Sequence, residues 1–259
     1  MWVRLRQIAL IVDRLEPVVE DLRAVLGIDV AYRDPSVAEF GLANAVLPVG
    51  DQFLEILEPV QEGTTGGRLL ARRGGDSGYM VILQSEDHGP LKERADRLGI
   101  RKVVDRSDDE YQLLQLHPKD TGGSFLEVDV QVGSKGQAGE AWHPAGPDWQ
   151  RAARTDVVTG IAAAEVQGSD PAALAARWGE ILDVDVTDDG GHPTLHLTGS
   201  TIRFVPDQDG RGEGLGAIDV ATVDPERARA AAKERGLSDD AGVITIGGVR
   251  MHLVENGRS

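Results

Sequence analysis

The sequence predicts an α+β protein built by repeating one supersecondary unit. Three observations carry the prediction. A short extended run, an amphipathic helix and then further short strands recur four times along 259 residues. Asp-Pro opens the helix at the same place in the third and fourth repeats, as Asp170-Pro171 and Asp224-Pro225, where proline suits a first helical position. Thirty-two glycines and 12 prolines divide the chain into short elements, and 4% aromatics imply an aliphatic core.

The elements follow in order. Arg4 to Val12 alternates as a strand, and Asp13 ends it. Leu15, Val18, Val19, Leu22, Val25 and Leu26 recur at helical spacing, with Gly27 as the stop. Strands are expected at Val30 to Arg33, at Val37 to Leu47 with an interruption at Gly41, and at Gln52 to Leu57 before Pro59. A glycine-rich connector, Glu62 to Ser77, holds a short helical piece around Arg68 to Arg73, with Arg72 and Arg73 expected in solvent. The second repeat has a strand at Tyr79 to Gln84, a helix at Pro90 to Leu98, and strands at Lys102 to Val104, Tyr111 to Leu116 and Ser124 to Val130. Residues 133–153 read as a linker by their Gly, Ser and Pro content, with His143 and Trp149 packing there or meeting a ligand. The expected organisation is therefore a first domain at 1–132 and a second at 154–259. The third repeat places strand at Val157 to Gln167, helix at Ala172 to Leu182, then strands near Val184 to Val186, Thr194 to Leu197 and Ser200 to Val205. The fourth runs from Leu215 to Thr222, through a helix at Glu226 to Arg235, to Gly242–Ile246 and Val249–Val254.

Composition excludes several functions. A net charge of −16, spread along the chain, disfavours nucleic acid and anionic membrane as partners. The absence of cysteine removes disulfides, thiolate metal sites and a cysteine nucleophile, and fits a reducing compartment. The only apolar run near the N-terminus, Ile8 to Val12, is too short for a signal peptide core or a spanning helix. A cytoplasmic protein with a small-molecule ligand is expected; a homodimer is left open.

One stretch stands out chemically. His117-Pro118-Lys119-Asp120-Thr121-Gly122-Gly123 is a turn leading into a strand on which Phe125, Glu127 and Asp129 face opposite to Leu126 and Val128. A carboxylate on the enclosed face of a strand is costly unless a cation, a metal or a hydrogen-bond donor meets it. The ordinary alternative is an acid on a solvated strand face.

Four βαβββ units in two pairs resemble the vicinal oxygen chelate superfamily, which includes glyoxalases, epimerases, extradiol dioxygenases and bleomycin-type resistance proteins. The residues that carry the resemblance are Gln7 to Val12 with Leu22 to Gly27, Phe53 to Pro59, and His117 to Val128. The last is similar to the corresponding end of methylmalonyl-CoA epimerases. The resemblance implies two half-open β-barrels, with a divalent ion at one position from the first and last strand of each unit. Those positions are Gln7, Glu55, Met80 and Glu127 in the first pair, and Ala163, Arg203, Ala217 and His252 in the second. The site is therefore expected in the first pair, and the second pair is expected to be structural.

Gln7, Glu55 and Glu127 would be the metal ligands, for Mg²⁺, Mn²⁺, Co²⁺, Ni²⁺ or Zn²⁺, with no organic cofactor. Met80 departs from the pattern, since a soft thioether stands where the epimerases have histidine. A one-residue shift would present Tyr79 there instead. Without an ion, Glu55 and Glu127 in one cavity would repel, and one would hold a proton. The expected function is metal-assisted proton transfer on a small carbonyl compound, of lyase or isomerase type, with Glu127 and Glu55 as the catalytic pair. The alternative is a non-catalytic binding or resistance-type protein. Met80, Tyr79 and His117 are candidate pocket residues. His117 either faces the pocket or caps its turn, His88 caps a helix, and Lys119 either meets an anion or is solvated.

Overall fold

The computed structural model of the chain describes residues 2–255. In order, it contains β1 (Val3–Ile11), α1 (Leu15–Leu26), β2 (Leu42–Val49), β3 (Gln52–Pro59), α2 (Thr65–Arg73), β4 (Ser77–Ser85), α3 (Gly89–Arg97), β5 (Lys102–Ser107), β6 (Tyr111–Leu116), α4 (Pro118–Thr121) and β7 (Phe125–Gln131). The chain continues with β8 (Val158–Gly168), α5 (Pro171–Leu182), β9 (Val186–Asp189), β10 (His192–Leu197), β11 (Ser200–Pro206), β12 (Gly214–Thr222), α6 (Pro225–Glu234), β13 (Ile244–Ile246) and β14 (Val249–Glu255). The strands form two open seven-stranded sheets, ordered β2-β3-β1-β4-β7-β6-β5 and β13-β14-β12-β8-β11-β10-β9. No helix among the described residues is long and apolar enough to cross a membrane.

The expected α1 stripe is the one that is buried: Leu15, Val18, Val19, Leu22, Val25 and Leu26. Gly27 ends the helix with φ +67°, in the left-handed region that suits glycine. In the third and fourth repeats, Asp170 and Asp224 accept from the backbone N–H three residues on, ahead of prolines at the first helical position.

Two strand expectations in the first repeat are corrected. Val30 to Arg33 contributes a single bridge, Tyr32 to Val46. Residues Pro35–Phe40 form a 3₁₀ turn, so the strand begins at Leu42 instead of Val37. The reason is local. Asp34 accepts from the Ser36 N–H, Pro35 fixes the first helical φ, and Gly41 stops the turn at φ +70°. Asp-Pro acts here as it does at 170 and 224. The fourth repeat shows the same reduction, with a single bridge, Ser238 to Ile244, ahead of β13. A smaller correction concerns Arg73, which is buried and donates from Nε to the Ser77 hydroxyl at 3.2 Å.

The chain divides into two compact units. One comprises Met1–Arg6, Met80–His143 and Ala163–Gly216; the other comprises Gln7–Tyr79, Pro144–Ala162 and Ala217–Ser259. The first thus joins the second and third repeats, and the second joins the first and fourth. In the first unit, Trp178 and Phe204 pack edge to face at 5.7 Å between centroids. Arg94 caps the C-terminal end of α5, donating to the carbonyls of Ile181 at 2.9 Å and Leu182 at 3.4 Å. In the second unit, Trp149 meets Phe53 edge to face at 5.0 Å, and the Gln52 amide pairs with both the N–H and the carbonyl of Ile161 at 2.7 Å.

His88 precedes α3 and is 2% exposed, with Nε2 at 2.7 Å from the Val128 carbonyl. Its ring makes no cap bond to the helix, in contrast to the expected capping role. A bond to a carbonyl requires Nε2 to carry the hydrogen, so the neutral ring presents a bare Nδ1. Burial, helped by the Lys92 charge, holds this imidazole below its ordinary value of 6.5. As pH falls through that value, unfolded chains take up a proton that folded chains refuse, so acid should lower stability. The slope from this one group is at most about 1.4 kcal/mol per pH unit. Denaturant titrations across this range should show that part of the slope removed in His88→Gln.

Candidate functional site

Strand pairing in the first unit builds a row of polar side chains. β6 and β7 are antiparallel with Gln115 opposite Glu127, and β4 and β7 are parallel with Ile82 opposite Glu127. Gln115 Nε2 donates to Glu127 Oε2 at 2.9 Å and reaches Met80 Sδ at 3.4 Å. Met80 therefore shares the face of Glu127, and alternation along β4 turns Tyr79 to the other face. Met80 and Gln115 are half-buried, whereas Glu127 is 6% exposed and Asp129 fully buried.

Asp129 lies two residues along β7 from Glu127, on the same face, so the two buried carboxyl groups are neighbours whose charges act on each other. Tyr111 donates its hydroxyl to Asp129 Oδ2. The Tyr111 ring is itself held edge to face against Trp142 at 5.7 Å and stacked on His143 at 5.0 Å. Burial raises both acids above their ordinary range, and the Glu127 charge pushes Asp129 further, well above it. Asp129 is accordingly the more strongly raised of the two.

In the second unit, Gln7 and Glu55 come together. Gln7 Nε2 donates to Glu55 Oε2 at 2.8 Å, and Asn44 Nδ2 donates to Glu55 Oε1 at 2.6 Å. The strand register explains both contacts: Glu55 sits opposite Ala9 on β1 and Val46 on β2, so Gln7 and Asn44 are its diagonal neighbours.

The turn before β7 has a different use. His117 Nδ1 accepts the Lys119 N–H at 3.2 Å and caps α4, and Lys119 is exposed. Arg101 clamps Asp120 with two side-chain N–H groups, at 2.8 and 2.7 Å. Arg177 and Trp178 of α5 donate to the carbonyls of Asp120 and Gly122 at 3.0 and 3.3 Å, and Glu213 accepts the Gly123 N–H at 3.1 Å. The His-Pro-Lys turn thus seats α5.

At the matching positions of the later repeats, Arg203 pairs with Glu165 at 3.1 Å and His252 with Asp219 at 3.1 Å, while Ala163 and Ala217 bring no polar group. Each pair meets directly across neighbouring strands.

The residues present do not fit a divalent ion. Among the described residues no group of three or more His, Cys, Asp and Glu side chains is placed to hold one. The oxygens that would ligate already face amide hydrogens, and Met80 offers only a soft sulfur.

Comparison with known proteins places this geometry in context. The model of the glyoxalase-like domain family matches residues 8–182. Among solved structures, a variant of Streptomyces coelicolor methylmalonyl-CoA epimerase in complex with 2-nitronate-propionyl-CoA is 24% identical, covers 51% of this chain and 97% of its own, and has a TM-score of 0.46. Methylmalonyl-CoA epimerase from Mycobacterium tuberculosis is 21% identical over 49% of this chain and 87% of its own, at 0.44. A hypothetical protein from Staphylococcus aureus is 13% identical and covers 98% of this chain and 100% of its own at 0.64, which shows the fold along nearly the whole length. A search of curated proteins finds no match.

Proposed function

The chain belongs to the glyoxalase-like domain family, and from that premise we propose that it moves a proton at a carbon next to the carbonyl of a small molecule, as an isomerase or lyase does. The observation that carries the reading is the buried Glu127–Asp129 pair, two carboxyl groups on one face of β7 that burial raises above their ordinary range, with Gln115 donating to Glu127 at 2.9 Å. Oriented by the Gln115 donor, Glu127 is the base on this reading. The substrate C–H bond breaks, the proton passes to Glu127, and the electron pair moves onto the carbonyl oxygen. Gln115 is the donor for that oxygen, because its second hydrogen is spent on a weak sulfur acceptor at 3.4 Å. Glu127 then returns the proton as the acid.

Met80, in contact with Gln115, lines the substrate side on this reading. Tyr79 turns to the other face and His117 is committed to its turn, so neither enters the proposal. Residues 1–132 carry the chemistry on this reading, while 154–259, with its matching positions filled by paired side chains and alanines, supports them. The divalent ion that the resemblance implies has no part in these steps.

The test is deuterium uptake from D₂O by a panel of 2-oxo acids, hydroxyketones and acyl thioesters, followed by proton NMR. Enzyme-dependent exchange in at least one compound is expected. A panel that binds without any exchange would favour the sequestering alternative and contradict the proposal.

A further inference from the structure

The amides around the two glutamates assign them a role beyond packing. We infer that this chain has replaced a divalent ion by side-chain amides as the groups that hold Glu55 and Glu127 in place. Asn44 and Gln7 act on the first, and Gln115 acts on the second. The inference shares Glu127 and Gln115 with the proposed proton transfer but stands on ligand chemistry, and its test does not use activity.

Asn44 is the decisive residue. Its Oδ1 accepts the Asp34 N–H at 2.8 Å, and this bond fixes which end of the amide faces Glu55. Rotating the amide to offer oxygen to an ion would leave the Asp34 N–H facing an NH₂ group, and would set the Asn44 oxygen against the Glu55 carboxylate. The Nδ2 hydrogen therefore occupies the Oε1 side at 2.6 Å, while Gln7 Nε2 occupies the Oε2 side at 2.8 Å. A hard cation seeks those same lone pairs and is repelled by the partial positive charge on both amides.

In the other unit, Gln115 Nε2 bridges Met80 Sδ and Glu127 Oε2. Here too the donor stands where an ion would. An amide differs from an ion in what it does to the base. It orients the carboxylate through a hydrogen bond without bringing a full positive charge, so the carboxylate keeps more of its basicity than it would beside a cation.

Chelator-stripped full-length protein should be titrated by calorimetry with Mg²⁺, Mn²⁺, Co²⁺, Ni²⁺ and Zn²⁺ separately, alongside Glu55→Gln and Glu127→Gln. The expected result is no near-stoichiometric binding that either variant alters, and no metal-induced rise in melting temperature. One equivalent of any of these ions, bound by the wild type and lost in either variant, would overturn the inference. Binding that persists unchanged in both variants lies elsewhere on this acidic chain and leaves the inference standing. Failure of the proton-transfer reading would appear in the exchange assay alone, so the two outcomes are separable.

Discussion

Glu127→Gln is expected to slow substrate exchange by roughly 10²–10⁴-fold, the usual contribution of a positioned general base, with the fold preserved. Glutamine keeps the shape and an acceptor oxygen for Gln115 but cannot take a proton. The loss should fall on turnover more than on substrate affinity, because the group acts on the reacting hydrogen. The same substitution should raise stability on the alkaline side. Burial raises the folded-state values of Glu127 and Asp129 above their ordinary 4.5 and 3.8. A raised acid contributes stability that is full below its unfolded value and is lost as pH rises through its folded value. Replacing one member by a neutral amide removes that loss. A melting curve of the variant at pH 8 should therefore lie above that of the wild type. Equal rates in variant and wild type would remove Glu127 from the chemistry.

The second large effect concerns the backbone of the second unit. Gly248 has φ +73°, and a Cβ added there would lie 1.8 Å from the Asp76 carbonyl oxygen. Gly248→Ala must therefore adopt a left-handed conformation and also push a backbone carbonyl aside. The left-handed conformation costs roughly 1–2 kcal/mol and the displacement a further 1–3 kcal/mol. Gly199 separates the two terms, since its φ is +76° with no atom within 4 Å of the added Cβ. Gly199→Ala should lose only the first term in a denaturant titration. Losses of equal size in the two variants would show that the Asp76 contact does not constrain the fold.

Much of this architecture is legible in residue order. The apolar stripe of α1 has the same bounds in sequence and structure, because the helix buries one face and periodicity records burial, and β6 also keeps its expected bounds. The first repeat misleads at Asp34-Pro35, where valine and alanine after the turn imitate strand composition while local capping sets a 3₁₀ turn. For the site, alternation along β7 puts Asp129 on the face of Glu127, but one strand cannot reveal what lies across from it. Gln115 and Tyr111 enter through the β6–β7 register, and Asn44 through a diagonal position on β2. The turn at His117 to Gly123 shows the converse. Its sequence resembles a functional segment, yet its hydrogen bonds go to α5 and Glu213.

The claim at the centre of the functional reading is that burial raises Glu127 and Asp129 together and that the Glu127 charge raises Asp129 further. Carboxyl ¹³C NMR of protein labelled at Asp and Glu side chains, titrated with pH and assigned through Glu127→Gln and Asp129→Asn, measures it directly. The expected result is one carboxyl of the pair titrating well above the ordinary range, with the Asp129 midpoint falling in Glu127→Gln, where the like charge is gone. Two independent titrations at ordinary carboxylate values, unmoved by either substitution, would contradict it.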